Sequence, residues 1–541
     1  MGDYLLLIKS KISEMKIKNK LATALLAAGV FMSGCSEGFL DRPPLSQISA
    51  DNFYQTKDDL RLATAALYGG KPWAEWNYNC YLPIGEVLSG NMALNYWGDA
   101  VQLHTFSVSG SNEIMIANWK AMYKIIAHCN VTIKAIQEKA PASIPEKDRN
   151  AAVAEAKFLR AFAYYNLALQ WRDIPIIEDN TDLINSPLVF RNPVNDVYKF
   201  VVNDLLFAVD NLPAKDAAGR VTTWSAQGML AKTYLTWAGL DAKGNGPRSQ
   251  VLLDSARLYA GNVCKLSGLF LLPNYADLFK TQFNDNPESL FALQWAPGTG
   301  WLEGNMLQIY SPGGAEISAA GQAGWFQIAP TYDLYKQYAG GDSIRRKATM
   351  MLKGDYYAEL NAAGGGYKFP GNAGLKKHII GTRADNSAPT MSLTSSTEHN
   401  AMLRLAEVYL IYAEAVMGNN ASTADADALL YFNKVRTRAG LAPVTSLNAE
   451  TLFTERRVEL AAEGHFWEDL VRLSYYNEAG AIKKLNEQER ILFTYDNGVV
   501  TKGDPLAAVT PANSTTFKFP IPSPEVTANP KLLEAPVPYA F

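Results

Sequence analysis

A regular pattern of apolar positions runs through residues 400–415, where Leu403, Ala406, Leu410 and Ala413 recur at i, i+3, i+7 and i+10. That spacing predicts one apolar face of an α-helix over about 400–417, and small Ala alternating with Leu lets a neighbouring helix approach closely. Arg404, Glu407 and Glu414 fall off the face. A second helix is predicted over 449–474, where Glu455, Glu459 and Glu463 step by four along one ridge beside Arg456 and Arg457. Such a ridge reads first as a solvated charged face. The competing reading sets Arg404, Glu407, Arg456, Arg457 and Arg472 in ion pairs between helices, which fix packing and carry no chemistry.

Further helices are predicted at about 57–68, 118–140, 149–171, 194–211, 223–238, 251–266 and 424–439. Several mix Ala with large aromatics at helical spacing, as in Phe158, Phe162, Tyr165 and Leu169, or Ala226, Leu230, Ala231, Tyr234 and Trp237. Paired helices of this kind predict a mainly α fold, a tetratricopeptide-like stack of roughly four pairs interrupted after the third. The interruption, about 273–398, is dense in Gly and aromatics (Gly300-Trp301, Gly324-Trp325) and reads as turns, apart from a short strand over 288–295. From about 485 the tail is loop-like. The expected organisation is a leader over 1–34, an N-terminal segment 35–56, a helical part 57–272, an irregular lobe 273–398 and C-terminal helices with a tail over 399–541.

Length and composition narrow the class. The chain has 541 residues, 48% hydrophobic and 19% charged, which describes a folded globular protein with room for several cores. A net charge of −3 gives no electrostatic case for nucleic acid. Cys35, Cys80, Cys129 and Cys264 are too widely spaced for a zinc site or a dense disulfide frame, and Cys129 and Cys264 read as small buried hydrophobes.

Cys35 has a different setting. Lys16, Lys18 and Lys20 precede the apolar run 21–31, and Ser33-Gly34 stand immediately before Cys35. A basic region, a short apolar core and small residues before a cut describe a secretory signal peptide. The run is too short to span a bilayer comfortably. Cys35 is then expected to carry acyl chains, palmitate among them, and two or more such chains hold a protein on a membrane. Residues 1–14 precede the basic region, so translation is expected to start at Met15.

The aromatics carry the candidate chemistry. Trp119, Trp171, Trp224, Trp237 and Trp467 lie on predicted helices and Trp295 on the predicted strand, where packing is the default. Trp73, Trp76, Trp97, Trp301 and Trp325 lie in irregular or Gly-rich stretches, where an aromatic either anchors its loop or meets a ligand. One face of a sugar ring is a patch of C–H groups and its edge is all hydroxyls, so flat aromatics with polar neighbours match it. Asn91, Asn95 and Asp99 flank Tyr96-Trp97, while Glu303 and Asn305 flank Trp301. The candidate ligand-binding set is Trp73, Trp76, Asn95, Tyr96, Trp97, Asp99, Trp301, Tyr310 and Trp325. Against enzymes, the five histidines are scattered and no His-x-x-x-His, Gly-x-Ser-x-Gly or phosphate-loop pattern occurs. No catalytic residue, metal ligand or cofactor is expected.

Five phrases carry a family resemblance: RLAEVYLIYAEA at 404–415, ERRVELAAEGHFWEDLVRL at 455–473, FLDRPP at 39–44, WRDIPII at 171–177 and FPIPSPE at 519–525. Together they resemble the SusD/RagB family of glycan-binding lipoproteins. The resemblance implies a location on the outer membrane facing the cell exterior, anchored through Cys35. It also implies a SusC-like, TonB-dependent transporter as partner and an oligosaccharide as ligand. A shallow site on loops off the repeat scaffold is implied as well, with its early-loop aromatic mapping onto Trp97. Two rivals stay open: a peptide- or protein-binding member of the same family, and a lipid-anchored glycosidase.

Overall fold

Asn112 starts the scaffold by accepting hydrogen bonds from the free amides of Ile114 and Met115 at the N-terminus of the long helix Glu113–Lys139. The computed structural model describes residues 53–94, 97–296, 300–318, 328–338, 341–387, 391–392 and 394–541. Cys35 and the leader expected before it lie outside the described residues, as do Asn95, Tyr96 and Trp325. The helices that matter below are α1 (Lys57–Ala65), α2 (Lys71–Trp76), α3 (Gly98–His104), α4 (Glu113–Lys139), α5 (Glu146–Trp171), α6 (Val194–Asn211), α7 (Thr223–Trp237), α8 (Gln250–Leu266), α9 (Leu405–Met417), α10 (Ala426–Arg438), α11 (Ala449–Glu459) and α12 (Phe466–Tyr476). Four short strands matter below: β1 (Met92–Ala93), β2 (Ser289–Leu293), β3 (Ala329–Pro330) and β4 (Asn400–Arg404).

Each helix from α4 to α10 packs on the next one, so the fold is the expected helical stack. The irregular lobe interrupts this stack. It falls between α8 and α9, and α8 packs on α9 from beyond the lobe as well as on α7. Gly261 makes that contact possible, since a Cβ there would stand 3.1 Å from the ring of Tyr412. The expected faces are the buried ones: Phe158, Phe162, Tyr165 and Leu169 on α5, and Leu410 and Ala413 on α9, all lie in the main core.

Two helix boundaries differ from the periodicity. Residues 400–404 form β4, paired antiparallel with β2 so that Asn400 faces Leu293 and Arg404 faces Ser289. Over five residues the apolar spacing fits a strand as well as a helix, and the partner strand decides. The stretch 449–474 breaks into α11 and α12, with Ala462 (φ 63°) and Gly464 (φ 79°) in the left-handed region between them. The tail also holds a hairpin, Phe493–Asp496 with Val499–Lys502, turning at Asn497 (φ 49°) and Gly498 (φ 88°).

The break between α11 and α12 turns Glu463 inward and makes the charged ridge an internal one. Arg404, 2% exposed, donates to Glu463 at 2.6 and 2.8 Å and to Glu459 at 2.7 Å. Arg345 reaches Glu455 at 2.6 Å and Glu459 at 3.2 Å, and Lys377 reaches Glu463 at 2.7 Å. Arg456 bridges Asp469 and Glu407, Arg457 binds Asp333 and Arg472 binds Glu414 and Asp469. The solvated-face reading is therefore corrected: these are buried ion pairs joining helices, strand β4 and the lobe. Burial opposes the charge on Glu463, but Arg404 and Lys377 outweigh it and hold the carboxyl at about 2. Arg472 and Arg248 do the same for Glu414, also about 2, against the same opposing burial.

Candidate functional site

Gly70, at φ 88°, and Pro72 in the first turn start α2 in what the sequence reads as a loop. The helix continues into π-helical turns over Asn77–Tyr81 and Pro83–Leu88. α2 itself turns Trp73 and Trp76 into the core, 1% and 5% exposed. The Nε1–H of Trp73 donates to the Leu67 carbonyl at 2.7 Å, and that of Trp76 to the Asn118 side chain at 2.9 Å. Their rings pack edge-on or tilted against Phe162, and Trp73 meets Phe291 as well. Both are corrected from ligand contacts to anchors, because the segment carrying them is helical and its apolar side faces α4 and α5.

Tyr78, in the first π-turn, leads instead toward the surface. Its ring stacks on Tyr310 at 5.7 Å and 24°, and its carbonyl accepts from the Tyr310 hydroxyl at 2.7 Å. Trp301 stands against the same ring at 5.7 Å and 69°, and Trp301 is 47% exposed. Tyr310 is fully buried, so it is corrected from a ligand contact to the floor behind Tyr78. The Trp301 turn is held locally: Gly300 N–H donates to Glu303 at 3.1 Å, and Leu302 sits at φ 56° with its N–H toward the Met306 sulfur.

A two-residue ladder joins this cluster to the early aromatic segment. β1 pairs antiparallel with β3, Ala93 facing Ala329, and Ile328 N–H donates to the Tyr310 carbonyl at 2.8 Å. In that register the chain leaves Ala93 toward Trp97 at the same end of the ladder where it enters Ile328. Trp325 precedes Ile328 by three residues in sequence and lies outside the described residues. Tyr310, Tyr78 and Trp301 are therefore tied through one carbonyl to the ladder from which the Trp97 segment departs.

Trp97 is half-buried at the start of α3 and packs on the main core. Asp99 is half-exposed. Its carboxylate accepts from Glu113 N–H at 3.3 Å and its carbonyl from the Asn112 side chain at 3.0 Å, which ties α3 to the start of α4. Glu303 is exposed beside Trp301. Asn91 and Asn305 are fully buried; Asn91 serves Glu86 and Arg457, and Asn305 serves Asn77 and the Glu398 carbonyl. Tyr78 is the residue that the sequence reading missed as part of this cluster. The aromatic run Tyr78-Asn79-Cys80-Tyr81 is visible in the sequence, but the π-turn that sends Tyr78 outward and Tyr81 inward leaves no periodic signal.

Glu407, His465 and Glu468 place three donor atoms within 4.8 Å of one another, a spacing that suits a metal ion. Lys232 already fills that centre. Its ammonium stands 3.2 Å from Glu407, 2.6 Å from Glu468 and 3.1 Å from His465 Nδ1, so the chain supplies its own cation there. Cys129 is buried in the core, where burial pushes its thiol up to about 12, and Cys264 packs half-buried against the same core. Among the described residues no helix is long and apolar enough to cross a membrane.

A sequence profile described as the SusD family matches residues 287–537, and one described as starch-binding, associating with the outer membrane, matches residues 40–235. A SusD-like protein of Bacteroides ovatus is 35% identical over 97% of this chain and 99% of its own length. SusD-like protein P2 of Formosa agariphila is 25% identical over 92% of this chain and 96% of its own. A structure solved with a xylogluco-oligosaccharide superposes with a TM-score of 0.82 at 34% identity, covering 89% of this chain and 99% of that one. A laminarin-binding SusD-like protein, 23% identical, shares the fold at a TM-score of 0.67 over 88% of this chain and 98% of its own.

Proposed function

The chain belongs to the SusD family, and from that premise we propose that it captures oligosaccharides at the outer surface of the cell and delivers them to a TonB-dependent, SusC-like outer-membrane transporter. In this reading Cys35 carries the lipid anchor and the protein has a binding role without catalysis. The observation that carries the reading is Trp301, about half-exposed on a short turn and backed by the Tyr78–Tyr310 stack. An exposed flat ring with a rigid backing suits the C–H face of a pyranose, while the exposed carboxylate of Glu303 suits its hydroxyl edge. The ladder from which the Trp97 segment departs leads toward the same cluster, which supports one extended platform that includes Trp97, Tyr96, Asn95, Asp99 and Trp325.

The relative solved with a xylogluco-oligosaccharide is 34% identical over most of this chain. That supports a xyloglucan-type β-glucan as the ligand. Calorimetric titration of the protein lacking residues 1–35 with a xylogluco-oligosaccharide tests the reading, and saturable binding is the expected result. Binding of peptides with no glycan competition would overturn it.

A further inference from the structure

We infer that Tyr78 is the positioning residue of the platform: its ring sets the plane in which Trp301 meets a sugar. This rests on the glycan-binding reading and deepens it. Trp301 sits on a surface turn whose own ties, Gly300 to Glu303 and Leu302 to Met306, fix the backbone. Backbone ties leave the indole rotamers open, and only a neighbour against the ring selects one. Tyr78 is such a neighbour, at 5.7 Å and 69°.

Tyr78 is itself fixed from behind. It stacks on a fully buried Tyr310, receives that residue's hydroxyl on its carbonyl at 2.7 Å, and packs on the small cluster of Met306 and Ile309. It also stands in a π-turn, a winding that gives up regular helix hydrogen bonding and is frequent at functional sites.

The test separates a flat ring from mere apolar volume. Binding is read by native affinity electrophoresis in xyloglucan gels, which registers weak affinities, with melting temperatures measured on the same samples. Tyr78→Phe keeps the ring and is expected to bind as wild type. Tyr78→Leu keeps apolar bulk and is expected to lose about two- to tenfold in affinity, the size of an aromatic pair interaction, with its melting temperature close to that of Tyr78→Phe. In a Trp301→Ala background, Tyr78→Leu is expected to have no additional effect, because Tyr78 acts through Trp301. Wild-type affinity in Tyr78→Leu, or an equal loss in both backgrounds, would overturn the inference. If Trp301→Ala itself binds as wild type, the glycan-platform reading fails instead.

Discussion

Arg404 and Glu463 meet fork to fork, at 2.6 and 2.8 Å, in a space closed to water. One stands at the end of β4 and the other in the break between α11 and α12, so the pair pins the strand that pairs with the lobe's β2 to the C-terminal helices. Removing Glu463 takes the carboxylate partner from the buried Lys377 ammonium and leaves Arg404 with Glu459 alone at close range. Glu463→Ala is therefore expected to cost about 3–5 kcal/mol in denaturant unfolding. A loss below about 1 kcal/mol, the level of an exposed pair, would contradict the burial assigned here.

Acid should undo the same network. Glu463 and Glu414 are each held at about 2 in the fold, against an ordinary value of 4.5. The unfolded chain therefore binds protons first, and the stability from both groups is complete above 4.5 and lost as pH falls toward about 2. Melting temperatures taken from pH 6 downward are expected to hold level and then fall through that window, less steeply in Glu463→Gln. A decline that begins near neutral pH would point to other groups.

Leu410 on α9 is fully buried in the main core. Leu410→Ala is expected to cost about 2–5 kcal/mol, with or without glycan present. An unchanged melting curve would misplace this face.

For the anchor, Cys35→Ser is expected to release the protein from the outer-membrane fraction, because a single serine removes the site of acylation. Retention at the wild-type level would place the anchor elsewhere.

The helical stack was legible because its signal is local. Faces such as Phe158-Phe162-Tyr165-Leu169 depend only on spacing along one helix. What stayed hidden depends on partners distant in sequence. Arg404 reads as a helical residue until β2 pairs with its strand, and Glu463 reads as solvated until Ala462 and Gly464 turn it toward Arg404. Trp73 and Trp76 read as loop aromatics because their helix, six residues after Gly69-Gly70, is too short to show a period, and the π-turns that follow it concealed Tyr78. Trp301 was legible for the opposite reason: a Trp between glycines has no helix to bury it. Asn497-Gly498 is a local hairpin signal in a tail that otherwise reads as loop.

The most direct test of the account is the affinity for a xylogluco-oligosaccharide, measured by calorimetry with melting temperatures on the same samples, in Trp301→Ala and Trp97→Ala. Stacking an aromatic on a flat partner contributes about 1–3 kcal/mol, so each variant is expected to lose roughly tenfold to hundredfold in affinity. Trp301→Ala should do so with its melting temperature nearly unchanged, since its ring is 47% exposed. Full glycan affinity in both variants, with stability lost, would contradict the account and make these residues anchors.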